Sequence, residues 1–276
     1  MLRFRDVSAK LSEANHVFHE TGVAGLANYL RWRCDFHLKM LVARHIRSVT
    51  LDGCRVNMRH VPNSRTKIDL MLKIYEVEER HLVSKHVDPK LPVVELGGCL
   101  GVVACITNKM LEDPRLHVVV EANPLAIPLL AEIRDSNQCE FEILHAAVAY
   151  GAPTVTFRPT PDLCANSLYQ KDRKEAFVTV SATCLREIVT KVNFDAFNLI
   201  CDIEGSEFDL VCNESDVVQK ATTIILETHA RFIGEAKNSQ LLARLEDLGF
   251  RAVAQEGTVV VLRHRSASHL LTPAAA

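Results

Sequence analysis

The residues best equipped for chemistry lie in two short stretches rich in carboxylates. Asp202, Glu204 and Glu207 fall in CDIEGSEFDLV, Cys201–Val211, where Gly205 permits a sharp exit from the preceding strand. Glu227 and His229 fall in ILETHA, Ile225–Ala230. Each stretch follows an apolar run with strand character, 197–203 and 223–227. An acid or an imidazole at such a strand end can take a proton from a hydroxyl group. A third stretch, Val93–Glu121, offers a seat for a ligand. A short apolar run ends at Glu95, the glycines Gly97, Gly98 and Gly101 surround Cys99, and a helix-like segment follows from Val102. Glycines without a Cβ let a ligand reach the backbone, and the helix N-terminus presents free N–H groups to it. A second apolar run, Leu116–Val120, then closes on Glu121.

The spacing distinguishes between ligands. A dinucleotide site requires G-x-G-x-x-G, and counted from Gly97 this chain has Cys99 and Val102 at the second and third glycine positions. A site for S-adenosylmethionine requires an acid, one spacer and glycines at alternate positions. Glu95, Gly97 and Gly101 fit that pattern, with Cys99 in place of the middle glycine. The acid is chemically sensible there, because this cofactor carries a sulfonium and an ammonium, whereas a pyrophosphate would be repelled. Glu121 stands twenty residues after Gly101, where a carboxylate accepts both ribose hydroxyls of either cofactor.

These groups need a scaffold that sets strand ends side by side. From Leu91 the chain alternates apolar strands with helices: strands at 93–96, 117–121, 141–148, 197–203 and 223–227, with helices at 102–111, 124–136 and 239–248 between or after them. The pattern predicts a Rossmann-like, doubly wound, mostly parallel seven-stranded sheet. A terminal hairpin, 250–254 and 258–263 around Glu256-Gly257, adds antiparallel strands. Residues 1–66 read as a helical extension with a hairpin at Asp52-Gly53, residues 67–265 as the catalytic domain, and 266–276 as a disordered tail. Within the extension, Gly22 and Gly25 divide two predicted helices. The second carries Leu26, Leu30, Leu38, Leu41 and Val42 among Arg31, Arg33, Lys39, Arg44 and Arg47. It reads as a helix packed on its own domain with a solvated basic face. Peripheral docking on a membrane or a phosphorylated partner is the other reading. A single helix is expected over 67–86. The insert 151–193 carries strands at 154–157 and 177–180 around a polar loop, whose Asn166 and Ser167 suit contact with a polyol acceptor.

Together, VVELGGCLGVVAC with VVVEANP, CDIEGSEFDLV and ILETHA resemble the FkbM-type methyltransferases, a branch of the S-adenosylmethionine-dependent class with the Rossmann-like fold. The resemblance spans roughly 68–262. It implies methyl transfer, usually to a hydroxyl oxygen of a sugar, glycolipid or natural-product scaffold. It carries cofactor contact to Glu95, Gly97, Gly98, Cys99, Gly101, Glu121, Ala122 and Asn123. It adds Ala147 after the third strand and, from the helix before the first, Tyr75 and Glu76. Two departures are Cys99 in the turn and His145-Ala146-Ala147 where many methyltransferases place an acid. Asp202 is the first candidate base and His229 the second, with Glu204 beside them. Glu204 and Glu207 are expected to bind a cation or the acceptor's hydroxyls, with Glu207 assigned to the acceptor. Oxygen ligands from Asp202, Glu204 and Glu227 could converge on a divalent metal, although the spacing does not require one.

Composition narrows the field. The 276 residues are 48% hydrophobic with a formal charge of -2, which gives no basic excess for nucleic acid. The nine cysteines are scattered without C-x-x-C spacing, as in reduced thiols of a cytoplasmic protein. No signal peptide and no membrane-length apolar run is visible. A nicotinamide-dependent oxidoreductase and a non-catalytic scaffold that retains the fold are the rival readings.

Overall fold

The structure, a computed structural model, describes residues 4–157, 159 and 177–266. A long helix α1 (Phe4–Ala43) leads into a hairpin, β1 (Ser48–Leu51) and β2 (Cys54–Asn57), and two short helices, α2 (Ser64–Met71) and α3 (Val77–His86). The alternating part follows as β3 (Val93–Leu96), α4 (Val102–Met110), β4 (His117–Glu121), α5 (Ile127–Ser136) and β5 (Glu142–His145). A side layer comprises β6 (Ala147–Val148), β7 (Thr154–Phe157) and β8 (Val178–Thr183), and α6 (Leu185–Val192) returns the chain to the sheet. Then come β9 (Phe197–Cys201), α7 (Glu207–Asn213), α8 (Ser215–Val218), β10 (Ala221–Glu227), α9 (Ala230–Ile233), α10 (Glu235–Asp247), β11 (Phe250–Glu256) and β12 (Val259–His264).

The sheet has seven strands in the order β11-β12-β10-β9-β3-β4-β5. The five strands from β10 to β5 are parallel, and β12 and β11 are antiparallel additions. This is the predicted Rossmann-like doubly wound architecture with its terminal hairpin. Strands β3, β4 and β9 are buried along their whole length, as a sheet covered on both faces requires. Val94, Val120, Leu199 and Leu226 pack on one face with α6, α7 and α10. Val93, Ile200, Ile225 and Val261 pack on the other with α3 and α4. The chain builds outward from β3 through β4 to β5, then crosses back to start β9 on the other side of β3. The carboxyl ends of β3 and β9 therefore border the point where the winding reverses, which is where open α/β sheets bind ligands.

Several local expectations are corrected. The helix α1 runs unbroken through Gly22 and Gly25. Glycine weakens a helix by about 1 kcal/mol without forbidding it, and no proline interrupts residues 4–43. Its inner side buries Ala43 toward the domain, while Val23, Leu30, Leu38, Leu41 and Val42 stay exposed. Among the described residues no helix is long and apolar enough to cross a membrane. The hairpin β1–β2 is no loose appendage: Leu51, Cys54, Val56 and Met58 share one apolar cluster with α4 and α5. The single helix expected over 67–86 is two, because Lys73 and Glu76 adopt left-handed backbone conformations (φ 61 and 45). The buried Arg80 holds that break open, donating from Nε to the Tyr75 carbonyl and from Nη2 to the Lys73 carbonyl, each at 2.8 Å. The strand expected over 141–148 divides at Ala146, and β6 leaves the main sheet to pair with β8. Helix α6 lies inside the predicted insert and went unrecognised, although Leu185, Ile188 and Val189 are spaced to bury one face. Asn166, Ser167 and residues 267–276 lie outside the described residues.

Candidate functional site

The glycine turn is pinned on both sides. The Gly97 and Gly98 N–H groups donate to the Val120 carbonyl at 2.9 and 3.1 Å, which ties the turn to β4, and Asp202 N–H donates to the Leu96 carbonyl at 2.8 Å. Each glycine is needed by the protein itself. A Cβ would stand 1.8 Å from the Asp202 carbonyl oxygen at Gly97, 2.5 Å from Val119 at Gly98 and 2.5 Å from Leu130 at Gly101. Cys99, where the methyltransferase pattern has its middle glycine, has a left-handed φ of 41. That conformation costs a side-chain-bearing residue about 1–2 kcal/mol. Among the contacts that hold it, Cys99 N–H donates to Glu121 Oε2 at 2.7 Å, and the Tyr75 hydroxyl donates to its sulfur at 3.2 Å.

Glu121 ends β4 and is the hub of the turn. Its other oxygen, Oε1, accepts the Asn123 N–H at 2.6 Å. Burial raises its proton affinity, opposed by backbone N–H groups of Asn123, Cys99, Ala122 and Gly98. Among the described residues only the Cys99 and Asn123 N–H groups make hydrogen bonds of good geometry to it, and a carboxylate has about four acceptor sites, so capacity remains for hydroxyl donors.

Gly97, Cys99, Glu121, Ala122, Ala147, Asp202 and Glu204 line one cleft, about 640 Å³ counting its open mouth. Phe157, Ile203, Ser206, Val120, Ala146 and Val148 complete it and were missed. Phe157 closes it from the side layer, which the sequence marked as a strand without indicating where it folds. Gly98, Gly101 and Asn123 support the turn from behind, with Asn123 Oδ1 accepting the Leu125 N–H at 3.0 Å. Glu95 is elsewhere: it is buried in the sheet, its Oε2 3.3 Å from His117 Nε2. Strand alternation turns it to the face opposite Val94 and Leu96, toward α3. Tyr75 reaches the turn through Cys99, and Glu76 lines an adjoining acidic cavity with Glu79, Asp202, Glu204 and Glu227.

The second motif forms a compact acid cluster. Glu204 has φ 53 and Gly205 φ 108, so the chain leaves β9 sharply. Glu207, expected at the acceptor, is wholly buried at the start of α7. Its Oε1 accepts N–H groups of Ile203 (3.2 Å) and Gly205 (3.1 Å) and pairs with His229 Nδ1 at 2.8 Å. The cost of leaving loop N–H groups unpaired explains why that side chain turns inward. His229 is 2% exposed, with Nε2 3.3 Å from Asp202 Oδ1 and 3.5 Å from Glu204 Oε2. Burial pushes the Asp202 carboxyl well up, helped by the charges of Glu227 and Glu79, and pushes Glu204 to about 7. Burial disfavours the His229 imidazolium, but the Glu207 hydrogen bond and nearby carboxylates outweigh it and raise its pKa.

Among the described residues the cleft is lined by three acids, Glu121, Asp202 and Glu204, and by no lysine or arginine. These three carboxylates would repel a pyrophosphate and suit a ligand bearing positive charge.

No family profile and no curated protein matches this sequence. Solved structures show a slight similarity to it. One is a precorrin-6y C5,15-methyltransferase from Geobacter metallireducens GS-15, with TM-score 0.40 and 11% identity over 68% of this chain and 86% of that one. Another is a ribosomal protein L11 methylase from Lactobacillus delbrueckii subsp. bulgaricus, with TM-score 0.39 and 10% identity over 74% and 80%. A protein in the NADB-Rossmann superfamily from Streptococcus agalactiae gives TM-score 0.39 and 12% identity over 67% of each chain. Likeness this slight carries no argument about this chain.

Proposed function

We propose that the chain is an S-adenosylmethionine-dependent methyltransferase of the FkbM type, acting on a hydroxyl of a sugar, glycolipid or natural-product acceptor. One observation carries the reading: among the described residues, three carboxylates and no basic side chain line a cleft at the reversal point of the sheet. S-adenosylmethionine, when bound, supplies an electrophilic methyl group on a positively charged sulfur. Glu121 holds the ribose hydroxyls, and the turn from Gly97 to Gly101 brings backbone against the ligand. Asp202 and Glu204 set negative charge beside the cationic groups. A hydroxyl acceptor must lose its proton as it is methylated. Asp202 is the first candidate to receive it and Glu204 the next, because both line the cleft. His229 reaches the cleft only through these two and serves as their proton partner. The O-methyl assignment, the acceptor class and a small-molecule or glycan partner rest on the sequence resemblance.

The test is transfer of an isotope-labelled methyl group from S-adenosylmethionine to a panel of sugars, lipid-linked glycans and natural-product alcohols. Label on an acceptor oxygen is the expected result. Cofactor binding without transfer to any acceptor, unchanged in Asp202→Ala, would favour a scaffold that retains the fold.

A further inference from the structure

His229 is committed at both ring nitrogens. Nδ1 is 2.8 Å from Glu207 Oε1, which fixes the ring. Nε2 faces two carboxylate oxygens, Asp202 Oδ1 at 3.3 Å and Glu204 Oε2 at 3.5 Å. These separations are long for charge-assisted hydrogen bonds. Asp202 Oδ1 is shut off from solvent and has no hydrogen-bond partner. The same holds for Oε2 of Glu207, whose side chain is wholly buried. A ligand atom from each of Asp202, Glu207 and His229 lies within 4.8 Å of the others.

Donors that share a cation at about 2.1 Å stand about 3.0–3.4 Å apart, from the edges of an octahedron or a tetrahedron. The spacing of His229 Nε2 from its two carboxylates is close to that range. The Glu207–His229 contact also has the form by which a second-shell carboxylate orients a metal-binding imidazole. Beyond the cluster, Glu76, Glu79 and Glu227 line the adjoining cavity, opposed by Arg231, whose Nη2 is 3.6 Å from Glu204 Oε2. The local field therefore favours added positive charge.

We infer that Asp202 and His229 bind one first-row divalent cation, such as Mn2+ or Zn2+, with Glu204 closing on it from the open side and Glu207 holding the imidazole in place. One imidazole and two carboxylates suit these ions better than Ca2+, which takes all-oxygen cages. The site shares Asp202 and Glu204 with the proposed cofactor cleft, but its test needs neither cofactor nor acceptor.

The full chain, stripped with a chelator, is titrated calorimetrically with Mn2+ and with Zn2+, and its melting is followed alongside. The expected result is one saturable site per chain and a melting temperature that rises with metal concentration. Asp202→Asn and His229→Gln are each expected to weaken binding by at least about tenfold. Glu204→Gln, at the more open side of the cluster, gives the same answer if either of those fails to melt cooperatively. No saturable binding up to about 1 mM would overturn the inference, leaving a protonated His229 between its carboxylates. Unchanged binding in the folded variants would overturn it as well.

Discussion

Gly97 and Asp202 meet backbone to backbone: a Cβ at Gly97 would lie 1.8 Å from the Asp202 carbonyl oxygen. The glycine of the first motif and the acid of the second are thus two sides of one contact, and the turn cannot move without moving the acid. Gly97→Ala must bear the strain of φ +96 and push β3 from β9. Gly151 has φ +87 with nothing within 4 Å, so Gly151→Ala bears the strain alone. We expect Gly97→Ala to lose at least about 2 kcal/mol more than Gly151→Ala in urea unfolding, as steric conflicts in packed interiors do. Equal losses would mean that the turn relaxes freely.

Glu121 carries both the turn and the cofactor reading. Glu121→Ala removes the acceptor for Cys99 N–H and Asn123 N–H and the proposed ribose contact together. S-adenosylhomocysteine affinity should fall by about 1–3 kcal/mol. Glu121→Gln keeps one carbonyl acceptor and should recover part of it. Calorimetric titration of the three proteins decides the matter, and an unchanged Kd in Glu121→Ala would place the ligand elsewhere.

Glu95 and His117 predict an acid-side effect on stability. Burial pushes the His117 imidazole down to about 3 from an ordinary 6.5. Between these values the unfolded chain binds a proton that the folded chain refuses, so this residue's contribution is lost as pH falls below 6.5. Burial pushes Glu95 well up, which has the opposite sign above its ordinary 4.5. The two slopes largely cancel from pH 4.5 to 6.5 in the native protein. His117→Phe keeps a ring against Phe141 and leaves the Glu95 slope alone. Relative to the native protein, the variant should gain about 1 kcal/mol per pH unit on acidification from pH 6 to 5. Parallel urea-stability profiles for the two proteins would refute the neutral buried pair.

Arg80 is a positioning residue for the break that carries Tyr75 and Glu76. Its guanidinium is buried, holds two carbonyls and pairs with Asp52. Arg80→Met leaves those carbonyls without donors and should cost about 3–5 kcal/mol of stability. It should also loosen the Tyr75–Cys99 contact, so that ligand affinity falls along with stability. A loss below about 1 kcal/mol would show that the break holds itself.

The sheet was legible because period and composition are local properties. Val93–Leu96, His117–Glu121 and Phe197–Cys201 are apolar runs of strand length, and glycine or an acid ends each one. The glycine turn and the acid after β9 were legible as motifs for the same reason. Orientation was less accessible. Glu95 sits one spacer before Gly97 but points to the opposite side of the sheet, so its proximity in sequence did not become proximity in space. Glu207 carries the spacing of an acceptor-binding acid, yet the unpaired N–H groups of Ile203 and Gly205 draw it inward. The break at Lys73–Glu76 has neither glycine nor proline, since Arg80 imposes it through tertiary contacts. Phe157 enters the cleft because β6 leaves the main sheet, a choice that no local pattern records.

The central claim is that the acidic cleft receives S-adenosylmethionine. Calorimetric titration of the folded chain with S-adenosylhomocysteine, alongside NADH, tests it most directly. The account predicts saturable binding of S-adenosylhomocysteine at one site per chain, weakened by Glu121→Ala, with no heat from NADH. A folded chain that binds NADH, or that ignores S-adenosylhomocysteine, would contradict it.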